Sequence, residues 1–512
     1  MPYPQIPAQK RRNCYLILFV LFFISYAYFF QGGGWNQNVR ICLTRAIIHH
    51  GSFKIDYYKE DAKEMESVNT GDWSFYRGHY YINKTPGLSF MAVPPFAITE
   101  YFLKYLFPHD EERQVLYSAY VSTLFTTTLF SALLCVLIFH MFHHFFQVGI
   151  INSFLLTLFF GFGTLAFSYS TTFYCHQPAA FFSFLSFALT MHIRHGDSKR
   201  KKTLAAFAGF SAASGVIIEP SAIYILAAIS IYLMSFKEGR RCIAFFILGC
   251  IPPGIVQGVY SFMCFGSPLA SSYNYSNDMV MWKVKGRLFG IPGRMRFYYL
   301  LFSPYRGLFF SSPILLMTIP GVFLFLREKK WRAEAILCAA ISVFFILYIA
   351  SFHAWHGGSA VGPRYLLPAY PYFFLLAGFS LMRFPKVFKV IGVISILINL
   401  SITVVGNEIP RDIKNPLWDV IAKNIVSGKV SINPFPFSHL DHYTAMYPSV
   451  YDFGNVEKWR INFNSFNLGE IVFPNSLLSL LPLICFWIIW GCWWRKTQML
   501  GKNFDEVAKE KT

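Results

Sequence analysis

The sequence predicts an all-α, polytopic membrane protein of about twelve transmembrane helices. Of its 512 residues, 54% are hydrophobic and 19% are aromatic, and the mean hydropathy is +0.41. Apolar runs of nearly the length that crosses a bilayer, about 20 residues, recur along the chain. Trp and Tyr cluster near the ends of these runs, as expected for side chains that favour the membrane interface. We therefore assign the chain to the helical integral membrane proteins.

The first apolar run, residues 15–30, follows three basic residues and lacks a small-residue cleavage site before Gln31. This pattern predicts a retained helix rather than a signal peptide. Hydropathy then predicts eleven further spans: residues 115–139, 150–167, 178–193, 203–218, 221–234, 243–265, 308–326, 333–349, 366–381, 387–405 and 477–494.

One more apolar run, residues 86–107, decides the predicted orientation, because its crossing would reverse everything downstream. If it does not cross, both termini and the connections at residues 194–203, 237–241, 327–334 and 383–389 share one side. Counted with the terminal segments, that side carries 23 Lys and Arg against 7 Asp and Glu. Positive charge near span ends selects the cytoplasm. We therefore expect two cytoplasmic termini in a bacterial inner membrane, and the basic composition gives no support to nucleic-acid binding.

The predicted organisation follows from this topology. Residues 1–405 form the transmembrane domain, which includes a first extracytoplasmic loop at residues 32–113 with juxtamembrane helices. Residues 406–475 form an extracytoplasmic segment, and residues 476–496 the last span, followed by a cytoplasmic tail at 497–512. A further outer region, residues 264–307, has a single acid, Asp278, and six basic residues: Lys283, Lys285, Arg287, Arg294, Arg296 and Arg306. These cations indicate contact with an anion, either a specific lipid phosphate or the ordinary headgroups of membrane lipids.

The first outer loop concentrates ionisable side chains. Residues 40–53 predict a short interfacial helix that ends at Gly51. Asp56 follows this helix, and residues 69–88 then bring Asp72, Arg77, His79 and Lys84 close together in sequence. An acid at a membrane surface can accept a proton from a hydroxyl, and a lysine can neutralise a phosphate leaving group. Asp72 as a turn residue and Lys84 as an interfacial lysine are the structural alternatives.

Other polar groups recur at the outer ends of the predicted helices. Ionisable groups at membrane depth are costly and are therefore functional candidates. Arg364 follows a Gly-Pro pair at a helix start, where its guanidinium could donate two hydrogen bonds to a phosphate. Isolated histidines more often pack than bind metal, so no metal site and no cofactor are assigned, and a divalent metal has no support in the sequence. The candidates on this face are His176, Glu219, Arg306, His353, His356 and Arg364.

These motifs resemble the GT-C superfamily of polyprenyl-phosphate-sugar-dependent glycosyltransferases, which includes the protein O-mannosyltransferases and the lipid A aminoarabinose transferases. Gly71-Asp72-Trp73 is similar to the Gly-Asp-Trp element of those enzymes, and Lys84-Thr85-Pro86 to their lysine followed by prolines. The resemblance is closer to a bacterial branch of uncharacterised members. That branch carries NQN, TGD, GHYY, KxPGLS, SPxRGL and GPRYLxPAxP in this order, and all six occur here.

The resemblance implies transfer of a sugar from a polyprenyl phosphate to a hydroxyl of a glycan, lipid or protein acceptor on the extracytoplasmic side. It implies Asp72 or Asp56 as the base and Lys84, Arg306 and Arg364 as partners of the lipid phosphate. Asn36 and Gln37 occupy the positions of the catalytic Asp-Glu pair, so the base comes from elsewhere or is absent. We favour Asp72, which directly precedes the GHYY and lysine elements.

Two other functions stay open at this stage. A flippase or transporter of lipid-linked sugars would also use outward-facing basic residues, although no internal repeat is visible and the polar residues concentrate on one face. A non-catalytic protein with the same fold would explain Asn36 and Gln37, because fold alone does not establish activity. Aromatic residues of segment 406–475, which suit sugar rings or a membrane interface, are Trp418, Tyr443, Tyr447, Tyr451 and Trp459.

Overall fold

The structure, a computed structural model, is almost entirely helical, as the sequence predicts. It describes residues 8–58, 70, 72–196, 199–276, 289–411, 413–432, 465–474 and 476–494. We number the longer helices in chain order: α1 Ala8–Ala27, α2 Trp35–His50, α3 Gly87–Leu106, α4 Glu111–Phe145, α5 Ile150–Gly163, α6 His176–His195, α7 Lys201–Ile218, α8 Ala222–Met234, α9 Lys237–Phe265, α10 Arg294–Leu301, α11 Thr318–Arg327, α12 Arg332–Ser351, α13 Tyr370–Gly378, α14 Pro385–Val405 and α15 Leu477–Trp494.

Shorter elements connect these helices. Single turns of helix are Asp56–Tyr58, Ala166–Tyr169, Ser272–Tyr275, Leu308–Ser311, Pro313–Met317, Lys329–Trp331, Arg364–Ala369, Leu417–Ala422, Lys423–Val426 and Leu468–Ile471. Four strands form two antiparallel pairs: β1 Phe29–Phe30 with β4 Phe466–Asn467, and β2 Trp73–Tyr76 with β3 His79–Ile82.

Each of the twelve predicted spans coincides with helical segments of the structure. Among the described residues, five helices are long and apolar enough to cross a membrane: Glu111–Phe145, Lys237–Phe265, Lys329–Ser351, Pro385–Val405 and Leu477–Trp494. The other segments are shorter or interrupted, as in the predicted span at 308–326, which is three successive short helices. The chain is an integral membrane protein, and the count of twelve crossings stays a prediction.

The first loop leaves and re-enters the bundle at the same end. Helices α1 and α4 run antiparallel, because the Tyr15 hydroxyl is 2.9 Å from His140 Nδ1 and the Tyr120 hydroxyl donates to the Ala27 carbonyl at 2.7 Å. The segment between Ala27 and Tyr120 therefore starts and finishes on one face. Helix α3 occupies the ambiguous run at 86–107. If α3 alone crossed the membrane, the two ends of the segment between Ala27 and Tyr120 would lie on opposite faces. The geometry favours the expected juxtamembrane position of α3.

Helix α2 is packed into the protein. Gly51, with φ +57°, ends it as the sequence predicts, although it begins five residues before the expected residue 40. Ile41 belongs to one apolar cluster, with Leu88 of α3. On its other side Leu43 belongs to a second cluster, with Tyr81 of the hairpin. Burial between two apolar surfaces holds this helix in place.

Within residues 69–88, which the sequence places in the first outer loop, the structure forms a short antiparallel hairpin of β2 and β3. Arg77 and Gly78, with φ of 49° and 83°, form the tight turn between them. Positive φ at both central residues gives the turn type whose twist matches antiparallel strands. The Ser74 hydroxyl donates to the Ser272 carbonyl at 2.7 Å, so the hairpin is fixed against the segment after α9.

The two ends of the bundle differ in chemistry. At one end lie the basic connections, where Glu334 of α12 is 2.7 Å from His195 Nε2 and 3.6 Å from Arg194 Nε. Four helices reach from this basic end to the opposite face: α6, α7, α9 and α14. The loop residues singled out in the sequence lie at that opposite face. The fold thus separates a basic end from an end that carries the candidate site.

Candidate functional site

Asp72 and Lys84 meet at the open end of the β2–β3 hairpin. Asp72 precedes β2 and Lys84 follows β3, so strand pairing places them side by side. The main-chain N–H of Asn83 donates to the Asp72 carbonyl at 3.4 Å, and Lys84 Nζ is 3.3 Å from Asp72 Oδ2. Each side chain is 14% exposed. The carboxylate and the ammonium group that the sequence singles out are therefore in direct contact and largely buried.

Asp56 and His79 lie at the other end of the same hairpin. Four residues of strand separate the two ends, about 13 Å at the usual rise. Asp56 Oδ2 accepts from His79 Nδ1 at 2.8 Å, and Asp56 Oδ1 accepts from the main-chain N–H of Tyr80 at 2.6 Å. Both carboxylate oxygens are thus engaged within the loop. This pair fastens the hairpin to the segment after α2 and stands apart from Lys84.

His176 and Glu219 form a buried pair where α6 begins and α7 ends. His176 Nδ1 is 3.0 Å from Glu219 Oε2, and Cys175 Sγ donates to the same oxygen at 2.8 Å. Burial alone would raise the pKa of Glu219, but the hydrogen bond and charge of His176 outweigh it and lower the pKa to about 2. Glu219 is therefore an ionised acceptor rather than a proton carrier at neutral pH.

Arg40 of α2 lies between the Asp72–Lys84 pair and the His176–Glu219 pair. It is not among the residues selected from the sequence. Its Nε donates to Asn36 Oδ1 at 3.1 Å and its Nη1 to the Thr85 carbonyl at 3.2 Å. The Thr85 hydroxyl in turn donates to the Ile218 carbonyl at 2.8 Å, beside Glu219. Arg40 is 2% exposed. In the sequence, Arg40 could have been recognised as a charged residue among the apolar positions of a predicted helix.

Arg364 begins the helical turn Arg364–Ala369, as its Gly-Pro context predicts. Its Nη1 donates to the Tyr174 hydroxyl at 2.6 Å and lies 4.0 Å from Glu408 Oε1. The Tyr174 hydroxyl donates to Glu408, and the Tyr174 ring is 5.8 Å from the ring of His176. Arg364 Nε is buried and has no hydrogen-bond partner among the described residues. This atom can still donate to an incoming anion.

Glu408 is positioned by the segment that follows α14. The main-chain N–H of Asn407 donates to Gln31 Oε1 at 2.7 Å, and its amide nitrogen donates to Thr172 Oγ1 and to the Ser168 carbonyl, each at 2.9 Å. These bonds fix the residue next to Glu408 against the start of the first loop. Glu408 is not among the residues selected from the sequence, because it stands alone there, far from every other acid of the site.

Glu408 also faces Asp72. Burial, and secondly the negative charge of Asp72, together raise the pKa of Glu408 to about 8. Direct contacts join Asp72 to Lys84, and Tyr174 to both Arg364 and Glu408. Charge interactions join Arg40 to Glu219 and Asp72 to Glu408, so these groups surround one region of the protein. We call the following eight residues the polar ring: Arg40, Asp72, Lys84, Tyr174, His176, Glu219, Arg364 and Glu408.

Arg306 and His356 lie in a loop beside the polar ring. Arg306 is completely buried, and burial lowers its pKa to about 10. Its Nε and Nη2 donate to the carbonyls of His356 and Gly358, each at 2.9 Å. Arg306 thereby shapes the loop against Arg364, and the predicted contact with a lipid phosphate stays untested. His353 is half-buried in the same loop.

The structure shows the position of some of the other candidates, and the rest lie outside the described residues. Arg296 Nη1 donates to the Ala350 carbonyl at 3.2 Å, Arg294 is exposed at the start of α10, and Trp418 is 69% exposed. Outside the described residues are Asp278, Lys283, Lys285, Arg287, Tyr443, Tyr447, Tyr451 and Trp459.

The polar ring can hold an anion. Three cations, Arg40, Lys84 and Arg364, face three carboxyl groups, of which Glu408 has a raised pKa. With Glu408 protonated, the fixed positive charges outnumber the negative ones. Such a site, only partly open to solvent, suits a phosphate group, because charge-assisted hydrogen bonds are strong where water is scarce.

No protein-family model and no curated protein matches the chain. Among solved structures, the chain is similar to ArnT from Cupriavidus metallidurans bound to undecaprenyl phosphate, with 13% identity and a TM-score of 0.50 over 89% of this chain and 77% of that one. It also matches the Archaeoglobus fulgidus oligosaccharyltransferase in the apo form, with 10% identity and a TM-score of 0.46 over 89% of this chain and 60% of that one. The likeness to the ArnT structure shows that the chain has a GT-C-like fold.

Proposed function

We propose that the protein is an integral-membrane glycosyltransferase that moves a sugar from a polyprenyl phosphate to a hydroxyl acceptor on the extracytoplasmic face. The observation that carries this proposal is the Asp72–Lys84 pair, 3.3 Å apart within a ring that also contains Arg40 and Arg364. The GT-C-like fold supports it, since the similar ArnT structure holds undecaprenyl phosphate. The acceptor is a glycan, lipid or protein of the cell envelope.

The reaction would use the polar ring as follows. The acceptor oxygen attacks the anomeric carbon of the sugar as its proton passes to a carboxylate, and the bond from that carbon to the phosphate oxygen breaks. The polyprenyl phosphate leaves with the bonding electrons, and the configuration at carbon inverts through an oxocarbenium-like transition state. Lys84 and Arg364 would stabilise the charge that develops on the phosphate. Asp72 is the sequence-predicted base.

A comparison of cell-envelope glycans tests this function. Mass spectrometry of glycans and glycolipids from cells with and without the gene is expected to show one sugar missing in its absence. The native gene should restore the sugar, and a Lys84→Met variant of equal abundance should not, because the phosphate would lose one of its proposed cations. Identical glycan masses in both strains would refute the proposal.

The flippase alternative makes a different prediction. A flippase would move lipid-linked sugar across vesicles that contain no acceptor, whereas a transferase would not. The enzyme is favoured because the polar ring gathers at one end of the bundle instead of lining a path through it. Net translocation by the purified protein in such vesicles would favour the flippase.

A further inference from the structure

A buried carboxyl group stands next to the sequence-predicted base. Glu408 is 5% exposed, and the groups that face it come from three parts of the fold. Tyr174 and Tyr169 lie on the segment between α5 and α6, Arg364 on the turn before α13, and Asp72 at the hairpin. A carboxyl group shared between one cation and one anion can gain or lose a proton near neutral pH.

Gln37 of α2 lies next to Glu408 and also indicates that Glu408 can carry a proton. A Cβ atom at Gly34 would overlap both Gln37 Oε1 and Glu408 Oε2, so these two oxygens face each other across this glycine. Gln37 Oε1 is buried and has no hydrogen-bond partner among the described residues. A protonated Glu408 could donate to this oxygen, whereas an ionised Glu408 would leave two acceptors opposed. The environment is therefore arranged for a carboxyl group that exchanges its proton.

We propose that Glu408, rather than Asp72, is the general base that accepts the proton of the acceptor hydroxyl. This assignment rests on the proposed transferase function. Asp72 then acts as a positioning residue, which orients Lys84 toward the phosphate and raises the proton affinity of Glu408. In each turnover the hydroxyl proton passes to the Glu408 carboxylate, and the proton is released to solvent after the polyprenyl phosphate departs.

The pH dependence of turnover distinguishes Glu408 from Asp72. Because the pKa of Glu408 is raised to about 8, the ionised base is scarce below that pH and turnover should rise with pH up to about 8. Glu408→Gln should lower turnover by about 10²–10⁴-fold, the usual contribution of general acid–base catalysis. Asp72→Asn should leave measurable turnover and shift the rising limb to lower pH, since one negative neighbour is lost.

The experiment uses the full-length protein in proteoliposomes with the lipid donor that the glycan comparison identifies. Glu408→Asp, which keeps the carboxyl group, is the conservative variant and should recover part of the turnover. A Glu408→Gln variant that keeps turnover and the rising limb would overturn the assignment. Absence of transfer by the native protein would instead refute the transferase function, so the two failures are distinguishable.

A separate cluster lies at the basic end of the bundle. His140 and His144 are four residues apart on α4, across the wider turn Met141–Phe145, and His192 faces them from α6. Their ligand atoms all lie within 4.8 Å of one another, and the Nε2 atoms of His140 and His192 are 3.1 Å apart. Tetrahedral zinc with Zn–N bonds of about 2.0–2.1 Å holds its ligands about 3.3 Å apart.

We infer that His140, His144 and His192 bind a divalent transition metal ion such as zinc. The Tyr15 hydroxyl is 2.9 Å from His140 Nδ1 and would orient that ring, as outer hydrogen bonds do for metal-binding histidines. Sixteen residues of α6 separate His192 from His176, about 24 Å along the helix. The ion would therefore tie α4 to α6 and take no part in the polar ring.

Zinc binding by the purified full-length protein tests this site. After treatment with a chelator, titration with Zn²⁺ should show one bound ion per chain and a higher melting temperature. His144→Ala, at an exposed position, should weaken binding at least tenfold, consistent with the loss of one of three ligands. His143→Ala, at the adjacent position outside the cluster, is the matched control and should bind like the native protein. No zinc uptake by the native protein, or equal uptake by both variants, would overturn the inference.

Discussion

Arg364 has a donor that the described protein does not use. Its Nη1 binds Tyr174, while its buried Nε has no hydrogen-bond partner among the described residues. Arg364→Lys keeps the charge but removes the planar fork, so the KM for the lipid-phosphate donor should rise about 10–100-fold, equivalent to one charge-assisted hydrogen bond. Turnover at saturating donor should fall as well, because Arg364 would also stabilise the charge that develops on the departing phosphate.

Steady-state kinetics with varied donor concentration measure this effect. Arg296→Lys is a matched control, because Arg296 donates to the Ala350 carbonyl at the end of α12. A KM for Arg364→Lys equal to that of the native protein would contradict a role in donor binding.

Asp56 offers a test of how the hairpin is held. Because His79 and the main chain of Tyr80 engage both of its oxygens, Asp56→Asn should preserve turnover within about threefold. The melting temperature in detergent should fall by a few degrees, since one charged hydrogen bond contributes about 1.5–3 kcal/mol. Loss of transfer without loss of stability would restore Asp56 as a candidate base.

At the same residue scale, the sequence predicted part of the site. Asp72 and Lys84 were found because they lie twelve residues apart within recognisable motifs. Tyr174 and Glu408 were missed because each belongs to an unrelated segment, and only the packing of α14 against the 166–174 region brings them together. A distance in sequence of more than two hundred residues leaves no local pattern to detect.

Glycine sets how closely helices α7 and α9 approach each other. A Cβ at Gly249 would overlap the Ala206 carbonyl oxygen, and a Cβ at Gly209 would overlap that of Phe246. Small residues at such contacts let helix backbones meet. Gly249→Ala should therefore force the helices apart and destabilise the protein by about 1–3 kcal/mol, the usual cost of overpacking.

Gly254 on the same helix is the matched control. A Cβ there would meet nothing within 4 Å, so Gly254→Ala should be neutral or slightly stabilising, because alanine favours the helix. Melting curves of the two variants in detergent provide the measurement. Equal melting temperatures would contradict the close contact at Gly249.

Helices were easier to predict than the hairpin for a physical reason. Long apolar runs specify buried helices whatever their neighbours, so the predicted spans and the end of α2 at Gly51 agree with the structure. The strands β2 and β3 are four residues each and depend on a turn at Arg77 and Gly78. In the sequence alone, an alternating pattern of four residues is hard to distinguish from a loop.

The two ends of the bundle differ in the residues that they carry. The helices that begin in basic connections finish at the polar ring, as α7 does from Lys201 to Ile218. Helix α15 runs back along α1, since Trp490 Nε1 donates to the Ile17 carbonyl at 3.2 Å and the Tyr28 hydroxyl donates to the Ser479 carbonyl at 2.5 Å. Both ends of the described chain therefore lie at the basic end.

The bundle should have a single orientation in the membrane. Because Lys and Arg near helix ends favour the cytoplasm, the basic end should face inward and the polar ring outward. Ser235 and Ser267 flank the 29-residue helix α9 and are both exposed. In a variant with Cys485 and Cys492, both exposed, replaced by Ala, Ser267→Cys should react with a membrane-impermeant maleimide in intact spheroplasts. Ser235→Cys should react only after permeabilisation. The reverse pattern would place the polar ring in the cytoplasm, where nucleotide sugars are available and a lipid-carried donor would be unnecessary.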